Sequence, residues 1–191
     1  MIDLTAKRFQ IYGLPGSGKS VLAKSILSTD DLSIIYDPLR EYRGYRRYTP
    51  DDPQSVEELD TYIQDKVIPT RPHIFIIDEA SIYITPKSEG PLPPAVKLLN
   101  DTSRHLGISW GVIARRPVQI NPDLRELAHF LFLFRLPGRL DKNLLNEHAD
   151  GLGTAVSRLK KHHFIIYDTT EGEYWEHAPV PYVDEGLAGS Y

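Results

Sequence analysis

The stretch "GLPGSGKS", Gly13 to Ser20, spaces its glycines, a lysine and a hydroxyl as the phosphate-cradling pattern G-x-x-x-x-G-K-[ST] requires. Gly16 and Gly18 let backbone N–H groups close around phosphate oxygens, and a helix opening behind them adds its positive N-terminal end. Lys19 is the residue that reaches the β- and γ-phosphates of a nucleotide, and the Ser20 hydroxyl is the one that ligates Mg2+. The contact set expected for ATP is Gly13, Leu14, Pro15, Gly16, Ser17, Gly18, Lys19, Ser20 and Val21. In a chain of 191 residues of average usage, a chance match has a probability on the order of one per cent.

Two further stretches end apolar runs in charge. "HIFIIDEA" finishes in adjacent carboxylates: Asp78 completes a Mg2+ shell with Ser20, and Glu79 orients an attacking water or accepts its proton. The pair favours hydrolysis, because a kinase must keep water out. "WGVIARRPVQINPDL", residues 110 to 124, ends its apolar run in Arg115 and Arg116. Guanidinium groups brought to a buried strand end need an anion, and a phosphate in the crevice supplies one.

Such residues need rigid elements behind them. Five continuous β-branched and aromatic runs, Phe9–Tyr12, Leu32–Tyr36, Ile74–Ile77, Ile108–Ala114 and Phe130–Phe134, predict parallel strands covered on both faces. A helix is expected over 52–67, capped by Asp52 with Pro53 in its first turn and Val56, Leu59, Ile63 and Val67 on one face. Another, in "PPAVKLLNDTSRHLG", closes at Gly107. This alternation predicts an α/β domain whose ligands bind at the carboxyl ends of the strands, where Gly13, Asp37, Asp78, Glu79, Arg115 and Arg116 all fall. After Gly151, "SRLKKHH" reads as a basic helical piece with a solvated face, "HFIIYDTTEGEYWEH" as a β-hairpin, and the rest as a Pro- and Gly-containing tail. The organisation expected is a single domain over 1–191, with its core at 8–150 and the hairpin and tail at 151–191.

Composition sets outer limits. Apolar residues at 41% and charged residues at 25% fit an ordinary globular chain, and a net charge of −4 argues against a generally basic nucleic-acid coat. Polyanion contact therefore has to be local or assembled from several copies. The absence of cysteine excludes disulfides and Cys-ligated zinc. No apolar stretch approaches the roughly 18 residues of a membrane span, and the N-terminus lacks an export-signal pattern, so a protein without span or export is expected.

Four pieces in order, "GLPGSGKS", "IIYDPLREY", "FIIDEA" and "RHLGISWGVIARRP" leading to "LFLFRL", resemble the FtsK/HerA superfamily of P-loop ATPases over about residues 8 to 150. That superfamily includes the packaging ATPases of tailless, membrane-containing viruses. The resemblance implies a RecA-like fold with a mainly parallel sheet flanked by helices, ATP hydrolysis with Mg2+, a hexameric ring, and translocation of double-stranded DNA. It further implies capsid or vertex proteins as partners, and a place in the host cytoplasm or with the virion. Arg104 corresponds to an arginine finger reaching a neighbour's nucleotide, although a helix C-terminus also favours Arg through its dipole. Arg115 stands where the family has a polar amide before its Arg-Pro, here Arg116-Pro117, and a guanidinium cannot accept a hydrogen bond from water. Asp37 and Glu41 match the family pattern, with a cap or loop hydrogen bond as their expected role.

Three segments stay open at this level. "REYRGYRRY", 40 to 48, suits phosphate contact with stacking and equally a subunit contact. "TPKSEGPLPP", 85 to 94, suits a connector or a pore-facing loop. "RLKKHH" is read as solvated rather than as DNA-contacting. The rival functions are a Zot-type phage assembly ATPase, which usually carries a membrane span, a P-loop kinase for a small molecule, whose Arg-rich lid is missing here, and a non-catalytic nucleotide-dependent scaffold.

Overall fold

A computed structural model describes residues 2–181; of the expected tail after the hairpin, residues 182–191 lie outside the described residues. The apolar runs become strands of one sheet: β1 (Arg8–Tyr12), β2 (Ile34–Tyr36), β3 (Arg47–Tyr48), β4 (Ile74–Ile77), β5 (Ser109–Ala114), β6 (Phe130–Phe134), β7 (Phe164–Asp168) and β8 (Glu173–His177). Their order is β3-β2-β4-β5-β1-β6-β7-β8. Every pairing from β3 to β6 is parallel, and β7 and β8 add antiparallel strands beyond β6. Every residue of β4, β5 and β6 is buried, as strands covered on both faces must be. The expected hairpin therefore widens the same sheet, and its outer strand β8 is almost wholly exposed.

Helix α1 (Lys19–Leu27) packs Leu22, Ala23 and Ile26 on one face of the sheet, against Phe9, Ile11 and Phe132. The other face carries α2 (Val56–Tyr62), α3 (Ile68–Thr70), α4 (Pro94–Leu106), α5 (Pro122–Arg125), α6 (Arg139–His148) and α7 (Leu152–Arg158), whose apolar sides join Trp110, Val112 and Leu131 in a second core. The result is the α/β, mainly parallel, helix-flanked architecture that the sequence predicts.

Local boundaries differ where a polar side chain intervenes. The second strand starts at Ile34, because Asp30 accepts from the backbone N–H of Leu32 and holds a turn there. The cap of α2 is Ser55, whose Oγ accepts from Glu58 N at 3.0 Å, while Asp52 instead caps the turn before it through Gln54 N. Leu59, Ile63 and Val67 form the buried stripe, but Val56, in the first turn, is exposed. A wider π-helical turn, Ile63–Val67, precedes Pro69, which has no N–H to donate back along the helix. α4 closes at Gly107 as expected, at φ 71°, with Ile108 N donating to Ser103 O. The helix expected in "SRLKKHH" stops at Arg158; Leu159 turns into the core, and 160–163 form a turn with His162 at φ 65°.

Candidate nucleotide site

Because β5 lies between β1 and β4, the carboxyl ends of these three strands stand side by side. After β1, Gly13 N donates to Ala114 O at the end of β5, and Ser17 N donates back to Leu14 O, closing the loop. Leu14, Pro15 and Gly16 are exposed at its tip, whereas Ser17 to Val21 are partly buried. Gly18 sits at φ 110°, and a Cβ there would lie 3.1 Å from the Phe134 ring, so the position excludes a side chain on both counts. Lys19 opens α1, and its Nζ donates to Leu14 O at 3.2 Å. Burial pulls its ammonium below the ordinary lysine value with help from Arg115, and Asp78, Glu79 and Glu41 oppose that. Ser17 Oγ is buried in the loop without a hydrogen-bond partner.

Asp78 is 5% exposed, and its Oδ1 accepts from Glu79 N at 2.8 Å. Burial pushes its carboxyl up to about 7, and the neighbouring Glu79 and Glu41 carboxylates push the same way. Glu79 has a left-handed backbone at φ 46°, a conformation that costs a non-glycine residue about 1 kcal/mol or more and is found at sites that surrounding structure holds in place. Arg115 NH2 lies 3.5 Å from Glu79 Oε1. Arg116 leaves the extended chain the other way, and its Nε donates to the buried Asp141 of α6 at 2.8 Å. The two charges at the tip of β5 are thus each met by a carboxylate of the same chain.

Asp37, fully buried, accepts from Glu41 N at 2.9 Å, Tyr42 N at 3.1 Å and Arg47 NH1 at 2.9 Å, a loop-bonding role as expected. It holds Glu41 so that its Oε2 accepts from Ser20 Oγ at 3.3 Å. The segment "REYRGYRRY" is therefore partly structural: Tyr42 is core, Arg47 is paired, and Tyr48 stacks on Tyr62 with centroids 4.1 Å apart. Arg40, Arg43 and Arg46 are its exposed arginines, and Glu41 is exposed beside them. His162, in the segment read as solvated, also reaches the phosphate loop. Its Nδ1 lies 3.1 Å from Ser17 O across 145 residues, a separation at which no local pattern points to the contact.

The fold gathers Lys19, Ser20, Asp78, Glu79 and Arg115, joins Arg116 to Asp141, and leaves Arg104 elsewhere. Arg104 is exposed in the last turn of α4, beside Arg8 and His129 at the amino ends of β1 and β6. His129 is held below its ordinary value first by burial and then by Arg8, Lys7 and Arg104. Between 85 and 94, Lys87 makes an exposed pair with Asp123 at 3.2 Å.

Among the described residues no three His, Cys, Asp or Glu side chains form a metal-binding group. Mg2+ fits such a site, since it takes one or two protein oxygens and fills its octahedron with phosphate and water. Ser20 Oγ and Asp78 are the residues that would hold it, and the mutual repulsion of Asp78, Glu79 and Glu41 marks where a cation is favoured.

No family model and no curated relative matches the sequence. Solved structures do match. B204, the DNA-packaging ATPase from Sulfolobus Turreted Icosahedral Virus, has a TM-score of 0.81 at 19% identity, covering 94% of this chain and 100% of that one. The genome packaging NTPase B204 from Sulfolobus turreted icosahedral virus 2, in complex with ATP-gammaS, has a TM-score of 0.79 at 18% identity, with 94% and 100% covered. The N-terminal domain of zonular occludens toxin from Neisseria meningitidis has a TM-score of 0.56 at 16% identity, with 92% and 95% covered. At such identities the likeness is one of fold, and that fold is the P-loop ATPase architecture which the motifs resemble.

Proposed function

We propose that this chain is a Mg2+-dependent ATPase that works as a ring, most simply a hexamer, and translocates double-stranded DNA in the packaging of a viral genome. The observation that carries the reading is the meeting of Lys19, Ser20, Asp78, Glu79 and Arg115 at neighbouring strand ends beside the phosphate loop. The backbone of Gly13 to Ser20, with Val21 behind it, cradles the phosphates, and Lys19 reaches the β- and γ-oxygens. Mg2+, when bound, neutralises charge that develops on those oxygens. Glu79 positions the water and takes its proton. Arg115, exposed and 3.5 Å from Glu79, is a weak partner that a γ-phosphate draws away, leaving Glu79 to the water. Arg116 acts by fixing the end of β5 through Asp141.

Arg104 cannot serve its own phosphate loop from the opposite edge of the sheet, so its role as a finger requires a neighbour. A ring also reconciles the net charge of −4 with DNA: Arg40, Arg43 and Arg46, repeated by each subunit, line a pore with local positive charge. Packaging is favoured over a Zot-type assembly role by TM-scores of 0.81 against 0.56. Glu79 beside Asp78 argues against a kinase. Capsid or vertex proteins, met in the host cytoplasm or on the virion, complete the proposed setting.

The test is ATP turnover with and without double-stranded DNA, for wild type and for Arg43→Ala/Arg46→Ala. The double variant should lose DNA stimulation and flatten the log–log salt slope of DNA binding by about 2, about one unit per phosphate contact. Arg47 is left intact because it holds Asp37. An unchanged salt slope, together with subunits that no longer assemble by native mass, would assign the segment to the subunit interface instead.

A further inference from the structure

We infer that Glu41 is a positioning residue for the divalent cation, accepting the Ser20 hydroxyl proton so that the hydroxyl oxygen is turned to the metal. The inference rests on the nucleotide-site reading above and adds to it a carboxylate that the phosphate motifs do not contain. A serine hydroxyl can ligate a cation only through an oxygen lone pair, and its hydrogen must then point to some other acceptor. Glu41 Oε2, 3.3 Å from Ser20 Oγ, is that acceptor.

The chain places Glu41 deliberately. The preceding residue, Arg40, has a left-handed backbone at φ 61°, a conformation that surrounding structure must hold in a non-glycine residue. Asp37 supplies the hold, taking the backbone N–H of both Glu41 and Tyr42 while Arg47 fixes its second oxygen. A second observation points into the same place. The Tyr42 hydroxyl is fully buried beside Ser20 and Asp78, yet makes no well-formed hydrogen bond to either. A buried hydroxyl without a partner is costly unless something enters the site to meet it, and a water on a cation held by Ser20 and Asp78 is a group of the right kind. Residues that orient a metal's ligands in this way commonly change metal affinity about 10- to 100-fold when removed.

The experiment uses the full chain with ADP and Mn2+ as the probe. Free Mn2+ is followed by its paramagnetic resonance signal, and ADP affinity is measured separately in EDTA. Glu41→Ala should weaken ADP-dependent Mn2+ uptake about tenfold or more. Its ADP affinity in EDTA should stay close to wild type, because the backbone N–H groups that cradle the phosphates are kept. Glu41→Gln, which keeps an acceptor oxygen but not the charge, should fall between the two. Mn2+ uptake within about twofold of wild type in both variants, with ADP binding in EDTA intact, overturns the inference while leaving the nucleotide site standing. Wild-type protein that takes up no Mn2+ with ADP overturns the inference and the metal-site reading together.

Discussion

At the carboxyl edge of the sheet, Lys19 and Arg115 lie among Asp78, Glu79 and Glu41, whereas at the amino edge Lys7, Arg8, Arg104 and His129 lie together with Asp101 as the acid beside them. The carboxyl edge carries more acid than base, and burial together with that excess pushes the Asp78 carboxyl up to about 7. A cation with its phosphates is the natural complement there. The amino edge is the reverse: Lys7, Arg8 and Arg104 gather around His129, which burial and then these cations hold below its ordinary value, and an outside anion would be favoured there. In the proposed ring, each subunit thus presents one half of a site at each edge, and neither edge is complete in its own chain.

The largest effect should come from the acid edge. Glu79→Gln keeps shape and ATP binding but removes the base, so kcat should fall about 10²- to 10⁴-fold. Lys19→Ala should instead lose ATP affinity. If Glu79→Gln kept more than about a tenth of wild-type kcat, a barrier change under about 1.4 kcal/mol, Glu79 would not be the base and the two edges would not differ as described.

A smaller effect concerns stability. The Asp78 carboxyl is raised from 3.8 to about 7, so between those values the folded, nucleotide-free protein holds a proton that the unfolded chain does not. Stability from this group falls as pH rises through that window, and the penalty is complete above it. Asp78→Asn removes the charge and should raise Tm at pH 8, by about 2–4 °C for each kcal/mol relieved, with little change at pH 4. Thermal melts of metal-free, nucleotide-free protein at the two pH values check this. A variant less stable than wild type at pH 8 would show that the buried Asp78 charge does not destabilise the acid edge.

Much of the carboxyl edge is legible in the sequence because its chemistry is local. "GLPGSGKS" contains its own loop, and "FIIDEA" contains both the strand and the acids that end it. The five core strands are legible because strands buried on both faces are apolar throughout. What escapes is whatever depends on a distant partner. That Asp141, on α6, pairs with Arg116 is not announced by anything near either residue. Arg47 reads as one more surface charge until Asp37 pairs with it and the short β3 forms alongside β2. The turn carrying His162 reads as helix because nothing nearby announces that Leu159 is buried and that the chain must reverse into β7. The amino edge is hidden for the same reason: Lys7, Arg104 and His129 are scattered in the sequence and meet only when β1, β6 and α4 come together.

The most direct test of a site shared between edges is a mixing experiment. Arg104→Ala subunits keep Lys19 and Glu79, and Glu79→Gln subunits keep Arg104, so each variant is inactive alone for a different reason. In a mixed ring, an interface that joins an intact Glu79 to a neighbour's intact Arg104 is whole. ATP turnover should reappear on mixing and rise with protein concentration as rings assemble. Mixed rings that demonstrably form by native mass, yet turn over ATP no faster than the two parents, would contradict a site shared between edges.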